Sequence, residues 1–304
     1  MSENHLVPSS GRVEREIPQE AFDWYDEYAH GLIDRREFMQ RLSGLAVLGW
    51  SMTALTAALI PDYAQAEQVS FNDPKIKAEY IEFDSPKGHG KGRGYLVMPR
   101  NPDKKLPTVL VIHENRGLNP YIKDVARRLA IKGYIAFAPD ALFPLGGYPG
   151  NDDDGRAMQK SLSRDKMEED FIAAARFIKG HAKGNGKLGA VGFCFGGYIV
   201  NLLAAEMHED LDAGVPFYGT PAAEALVSQV KGPLLIHFAE LDQRVNKTWP
   251  GYEQQLKQNK ADYQAYIYKG VNHGFHNDST ARYNEPAAEL AWERMLKFFD
   301  THLS

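Results

Sequence analysis

Thr108-Val-Leu-Val-Ile112 is a run of β-branched and aliphatic side chains without polar alternation, the pattern of a strand buried on both faces of a parallel sheet. Similar runs recur at Tyr134–Ala138, Leu188–Phe193, Gly214–Tyr218 and Leu234–Phe238, with a shorter one at Tyr266–Tyr268. Between them lie segments of helical spacing, Asp124–Ile131, Asp165–Lys179 and Trp249–Gln258, and Glu285–Thr301 closes the chain as a helix. Ala78–Phe83 and Gly94–Met98 precede this pattern as a strand pair joined by the Gly/Lys/Pro-rich turn Ser85–Gly92. Strands alternating with helices predict right-handed βαβ units, hence an α/β domain with a mostly parallel central sheet flanked by helices. The Gly-rich tract Leu142–Arg156 is predicted to be a surface loop near the site.

Charge divides the chain at a different place. Residues 1–66 hold five arginines, no lysine and ten acidic residues, so the net charge of −5 belongs to this segment and residues 67–304 are neutral. An overall acidic balance argues against a nucleic-acid partner. Phe22, Tyr25 and Tyr28 form a helical stripe, followed by Asp34-Arg35-Arg36-Glu37-Phe38-Met39 and an uncharged run from Leu42 to Ile60. Ala64-Gln65-Ala66 then supplies small residues where a signal peptidase reads. The order predicts a twin-arginine-like export signal, cleaved before Glu67 and leaving a periplasmic protein, with the twin-arginine machinery as its partner and no stable membrane span. Two alternatives stand beside it: two helices over residues 20–60 packed on the catalytic domain or on a partner subunit of a cytoplasmic protein, and a retained anchor.

Cys194 is the sole cysteine, so no internal disulfide forms. It lies in Gly192-Phe193-Cys194-Phe195-Gly196-Gly197, between an apolar strand and a small-residue helix. This is the nucleophile-elbow pattern G-x-S-x-G with Cys at the centre: small neighbours admit the sharp turn, and the helix N-terminus favours a thiolate. Partners are expected in the order acid, then histidine. Asp242 follows the Leu234–Phe238 strand, and His273 follows Tyr266–Tyr268. Asp242 would orient His273, and His273 would take the thiol proton. Glu240 and His276 stay open as alternative acid and base, each a few residues from the expected position.

The stretch Gly-Phe-Cys194-Phe-Gly-Gly, the Glu-Leu-Asp242 strand end, Asn-His273-Gly-Phe and His113-Glu114-Asn115-Arg116-Gly117 together resemble the dienelactone hydrolase family (carboxymethylenebutenolidases), over residues 70–304. The resemblance implies an α/β-hydrolase fold over 67–304 and a Glu, matched by Glu114, that contacts the resting thiol until substrate binds. The backbone N–H groups of Asn115 and Phe195 are expected to form the oxyanion hole. Family members that open dienelactone hold the substrate carboxylate with two arginines, one of them four residues after the histidine. Here that position is Asn277. Arg156 and Arg116 are the candidate substrate-binding residues.

The expected activity is carboxylic ester hydrolysis of a small ester or lactone by Cys194, His273 and Asp242, with no metal and no cofactor. The alternatives are a broader carboxylesterase or thioesterase with the same triad, a catalytically idle binding module, or a redox-sensing thiol.

Overall fold

The computed structural model describes residues 17–47, 51–59 and 61–304, which fall into two compact units, 1–57 and 58–304. In the first, α1 (Gln19–Ala29) and α2 (Arg35–Val47) pair through aromatic residues. Tyr28 stacks on Phe38 with ring centroids 5.0 Å apart, and Tyr25 meets the same ring edge-on at 6.1 Å. Arg41 bridges Glu27 and Glu37 at 2.5 and 2.6 Å. Of the uncharged run from Leu42 to Ile60, residues 48–50 and 60 lie outside the described residues. The rest ends α2 and forms α3 (Met52–Leu59). No helix among the described residues is long and apolar enough to cross a membrane.

The second unit is built on one eight-stranded sheet in the order β1-β2-β4-β3-β5-β6-β7-β8. The strands are β1 (Ile76–Ser85), β2 (Gly90–Pro99), β3 (Leu106–Ile112), β4 (Ile135–Pro139), β5 (Gly184–Phe193), β6 (Ala213–Phe217), β7 (Leu234–Ala239) and β8 (Tyr263–Tyr268). β1 and β2 pair antiparallel from Ile76–Pro99 to Ser85–Gly90, and β2 is antiparallel to β4. The remaining pairs are parallel, as the continuous apolar runs require. The helices are α4 (Pro120–Ile131), α5 (Asp152–Ser161), α6 (Arg164–Lys179), α7 (Phe195–Glu206), α8 (Glu224–Val227), α9 (Gln243–Asn246), α10 (Trp249–Gln258) and α11 (Glu285–Leu303).

Strand pleating sends alternate residues into two cores. Leu110 and Ile112 of β3 pack with α6, α7 and α10, whereas Val109 and Val111 pack with α4 and α11. This is an α/β-hydrolase architecture, with the carboxyl ends of β3, β5, β6 and β7 opening on a common edge.

The second compact unit spans Ala58–Ser304, and Asp62 and Tyr63 bond within it: Asp62 N donates to the Ser279 carbonyl at 2.6 Å, and Tyr63 Oη donates to Asp152 at 2.9 Å. One element differs from the sequence expectation. The tract Leu142–Arg156 is not a plain loop. Asn151 caps α5, its side chain accepting from Asp154 N at 2.9 Å, and Asp152, Asp153 and Asp154 occupy the first turn, where the helix dipole favours acids.

Candidate active site

β5 ends at Phe193 and α7 starts at Phe195, so Cys194 alone makes the turn, with φ of +57° and ψ of −111°. A side chain on the flanking residues has no room. A Cβ on Gly192 would lie 2.1 Å from the Gly196 carbonyl oxygen, and one on Gly196 would lie 2.3 Å from that of Ile112. The close approach of Gly196 to Ile112 brings the first turn of α7, with Phe195, against the end of β3, where Asn115 follows. Cys194 N donates to the Phe217 carbonyl at 3.0 Å, tying the elbow to β6.

Asp242 follows β7 and caps α9, its Oδ1 accepting from Val245 N at 3.1 Å. Its Oδ2 is 2.5 Å from His273 Nδ1, and both residues are buried. The cap fixes the carboxylate, and the carboxylate fixes the imidazole through Nδ1. A ring nitrogen of His273 and Cys194 Sγ lie within 4.8 Å. The alternative residues point elsewhere. Glu240 accepts from Gly270 N at 2.8 Å, and His276 Nδ1 lies 2.7 Å from Tyr121 Oη among Phe193, Phe217 and Trp292.

Glu114 is fully buried. His113 holds the backbone beside it: its Nε2 accepts from Ala141 N at 3.1 Å, so Nδ1 is the donor to the Glu114 carbonyl at 2.5 Å. The Glu114 carboxylate accepts from Asn277 Nδ2 at 3.2 Å and lies 3.5 Å from Arg116 Nε. Asn277 is itself fixed, its Oδ1 accepting from Ser279 N and Oγ at 3.1 and 2.6 Å. Arg116 is buried and donates to Asp152 at 2.8 Å, so its charge is shared between two carboxylates. Arg156 lies on α5 and pairs with Asp153 of the same helix.

Two further residues belong to this neighbourhood. Tyr218 follows β6 with φ of +38°, unusual for an aromatic residue, and its ring centroid lies 4.8 Å from that of His273. Burial, reinforced by Glu114 and Cys194, raises its phenol well above the ordinary pKa, so it is a proton donor rather than a phenolate. Arg282 is buried, acts on Tyr218 together with Arg116, and lies 3.1 Å from where a Gly274 Cβ would be. Tyr218 closes an apolar run, and its only sequence signal is the Gly219 that follows. Arg282 stands nine residues after His273, a spacing without a motif.

Residues 93–303 match the sequence model of the Dienelactone hydrolase family, and residues 12–47 match a second model, described as YqhI-like. The chain is 34% identical over 238 residues to a "Putative carboxymethylenebutenolidase" of Aquifex aeolicus (strain VF5), a match covering 74% of this chain and 99% of that protein. It is 61% identical over 113 residues to the "Putative hydrolase fragment YghX" of Escherichia coli (strain K12), covering 36% of this chain and 97% of the fragment. The crystal structure of a "Putative Dienelactone Hydrolase from Klebsiella pneumoniae subsp. pneumoniae MGH 78578" aligns with a TM-score of 0.64 at 28% identity, over 74% of this chain and 99% of that one.

Proposed function

Because the chain belongs to the dienelactone hydrolase family, we propose that it cleaves a small ester or lactone through a cysteinyl acyl-enzyme. His273 Nε2 takes the thiol proton as Cys194 Sγ attacks the acyl carbonyl carbon. The carbonyl oxygen becomes an oxyanion held by the N–H groups of Phe195 and Asn115, each such donor contributing about 2.7–4 kcal/mol in the transition state. The C–O bond breaks, and the imidazolium returns its proton to the departing alkoxide. A water, deprotonated by His273, then attacks the thioester and releases the acid and the thiol. Asp242 holds the tautomer and stabilises the imidazolium. Glu114 holds the resting thiol against the charge of Arg116, and Arg282 supplies positive charge for a substrate carboxylate.

The observation that carries this reading is the 2.5 Å Asp242–His273 pair facing a cysteine on a glycine-flanked elbow. The test is hydrolysis of p-nitrophenyl esters, dienelactone and a thioester by wild type, Cys194→Ala, His273→Ala and His276→Ala. Cys194→Ala and His273→Ala should lose activity on every substrate, while His276→Ala keeps the mechanism. Full turnover by Cys194→Ala overturns it. The panel also separates a lactone hydrolase from a broader carboxylesterase or thioesterase.

A further inference from the structure

The family match starts at residue 93, yet the charged network behind Glu114 is completed by a residue thirty positions upstream. Tyr63 Oη lies 2.9 Å from both Asp152 carboxylate oxygens and accepts from Asn119 Nδ2 at 2.9 Å. Asp152 also accepts from Tyr148 Oη at 2.9 Å and from Arg116 at 2.8 Å, and Arg116 reaches Glu114 at 3.5 Å. The path Tyr63–Asp152–Arg116–Glu114 therefore runs from the amino-terminal strap of this unit to the buried carboxylate that the family resemblance assigns to the resting thiol. The strap is anchored further along. Gln68 N and Val69 N donate to Asp124 at 3.2 and 2.9 Å, and Arg127 binds both the Val69 carbonyl and Glu67.

We propose that Tyr63 is a positioning residue of the hydrolase site, acting through Asp152 and Arg116 on Glu114. The inference rests on the Cys194 mechanism proposed above and adds to it a residue outside the family match. Tyr63 suits the task chemically. Burial, with the Asp152 charge, raises its phenol well above the ordinary value, so it stays a donor. Burial alone would push the Asp152 carboxyl up, but Arg116 and the hydroxyls of Tyr63 and Tyr148 outweigh it and leave the pKa below the usual carboxylate range. Without the Tyr63 hydroxyl, Asp152 takes up a proton at higher pH, and its hold on Arg116 weakens there. Tyr63 also lies on the amino side of Ala64-Gln65-Ala66, so cleavage after Ala66 would strip this donor from the site.

The test uses the full chain, wild type and Tyr63→Phe, with kcat, KM and their pH dependence on a p-nitrophenyl ester. The expected result is a fall in kcat of about tenfold, the scale of one lost charge-assisted hydrogen bond, with KM within about twofold. The acid limb of the kcat profile moves to higher pH. Tyr63→Met, which also lacks the hydroxyl, must shift the limb in the same direction. In an Asp152→Asn background Tyr63→Phe should add little, because the acceptor has lost its charge. An unchanged kcat and pH profile, a change confined to the melting temperature, or an effect undiminished in Asp152→Asn overturns the proposal. Cys194→Ala assayed in parallel separates the two readings. Its inactivity beside an unaffected Tyr63→Phe removes Tyr63 alone, whereas its full activity removes the triad and the role assigned to Tyr63 within it.

Discussion

Asn277 donates its side-chain amide to Glu114 at 3.2 Å, at the position where the family resemblance implies an arginine in members that open dienelactone. A neutral donor satisfies a buried carboxylate oxygen without adding a fixed charge, and Arg116 supplies the positive charge from the other direction. Asn277→Asp would set a second carboxylate against Glu114 at the same distance. We expect kcat to drop by at least about tenfold, since a buried charged group loses its donor and meets a like charge. Steady-state kinetics near neutral pH checks this, and a variant with wild-type kcat would count against Glu114 as a working group.

Arg282 should separate substrates by charge. In Arg282→Gln, KM for an ester or lactone bearing a carboxylate is expected to rise about tenfold, the worth of one charge-assisted contact. KM for a neutral p-nitrophenyl ester should stay within about twofold. Equal changes for both substrates would assign Arg282 to packing instead.

Acid should destabilise the fold through histidines that the chemistry does not use. His237 stacks on Phe217 with centroids 4.3 Å apart, and burial, followed by the Arg294 charge, lowers its pKa to about 3. Burial likewise lowers His113 and, most strongly of its causes, His276. The unfolded chain binds these protons near pH 6.5, where the fold excludes them. Their neutral form therefore lends full stability above about pH 6.5, and this is lost as pH falls toward the folded values at about 1.4 kcal/mol per pH unit per histidine. Urea unfolding between pH 7.5 and 4.5 measures the slope, and His237→Phe should make it shallower by one histidine's share. A slope unchanged in His237→Phe would rule this account out.

Two glycines give opposite answers to the same substitution. A Cβ on Gly196 would meet the Ile112 carbonyl oxygen at 2.3 Å, backbone against backbone, so Gly196→Ala should destabilise by about 3 kcal/mol or more. Gly251, exposed in α10, has nothing within 4 Å of its Cβ position, and Gly251→Ala should stabilise by about 0.5–1 kcal/mol. Thermal melts of the pair decide it. A Gly196→Ala protein melting like wild type would show that the elbow is looser than its contacts indicate.

The strap makes a prediction about processing. If Tyr63 serves the site, active protein from the native host should begin upstream of Tyr63. Amino-terminal sequencing that starts near Glu67 on fully active material would instead favour the proposal of twin-arginine export with cleavage.

Fold and site were legible in the sequence to different degrees, for physical reasons. Parallel strands buried on both faces announce themselves as unbroken apolar runs, so each predicted strand lies in the observed sheet apart from Tyr134 and Tyr218, although β2 and β5 begin four residues earlier than expected and β8 three. The elbow was readable because its constraint is local: one turn, flanked by glycines. The α5 helix was obscured by the glycines before it and by three aspartates of low helix propensity, although Asn151 and that acidic turn are themselves a start signal. Arg282 and Tyr63 could not be read because their relation to the site is purely tertiary. Tyr63 meets Asp152 across 89 positions of chain, within a segment whose small residues suggest a cleavage site.

The crowding around Cys194 separates what can vary here from what cannot. Gly192, Gly196 and Gly197 are held by main-chain atoms of β3, β6 and α7, and Cys194 between them sits at a positive φ. Replacing sulfur by oxygen at Cys194 is expected to leave the scaffold standing, because those main-chain contacts stay the same. A single methyl group on a neighbouring glycine does the reverse. The shape of the turn therefore rests on three glycines that admit almost no substitution.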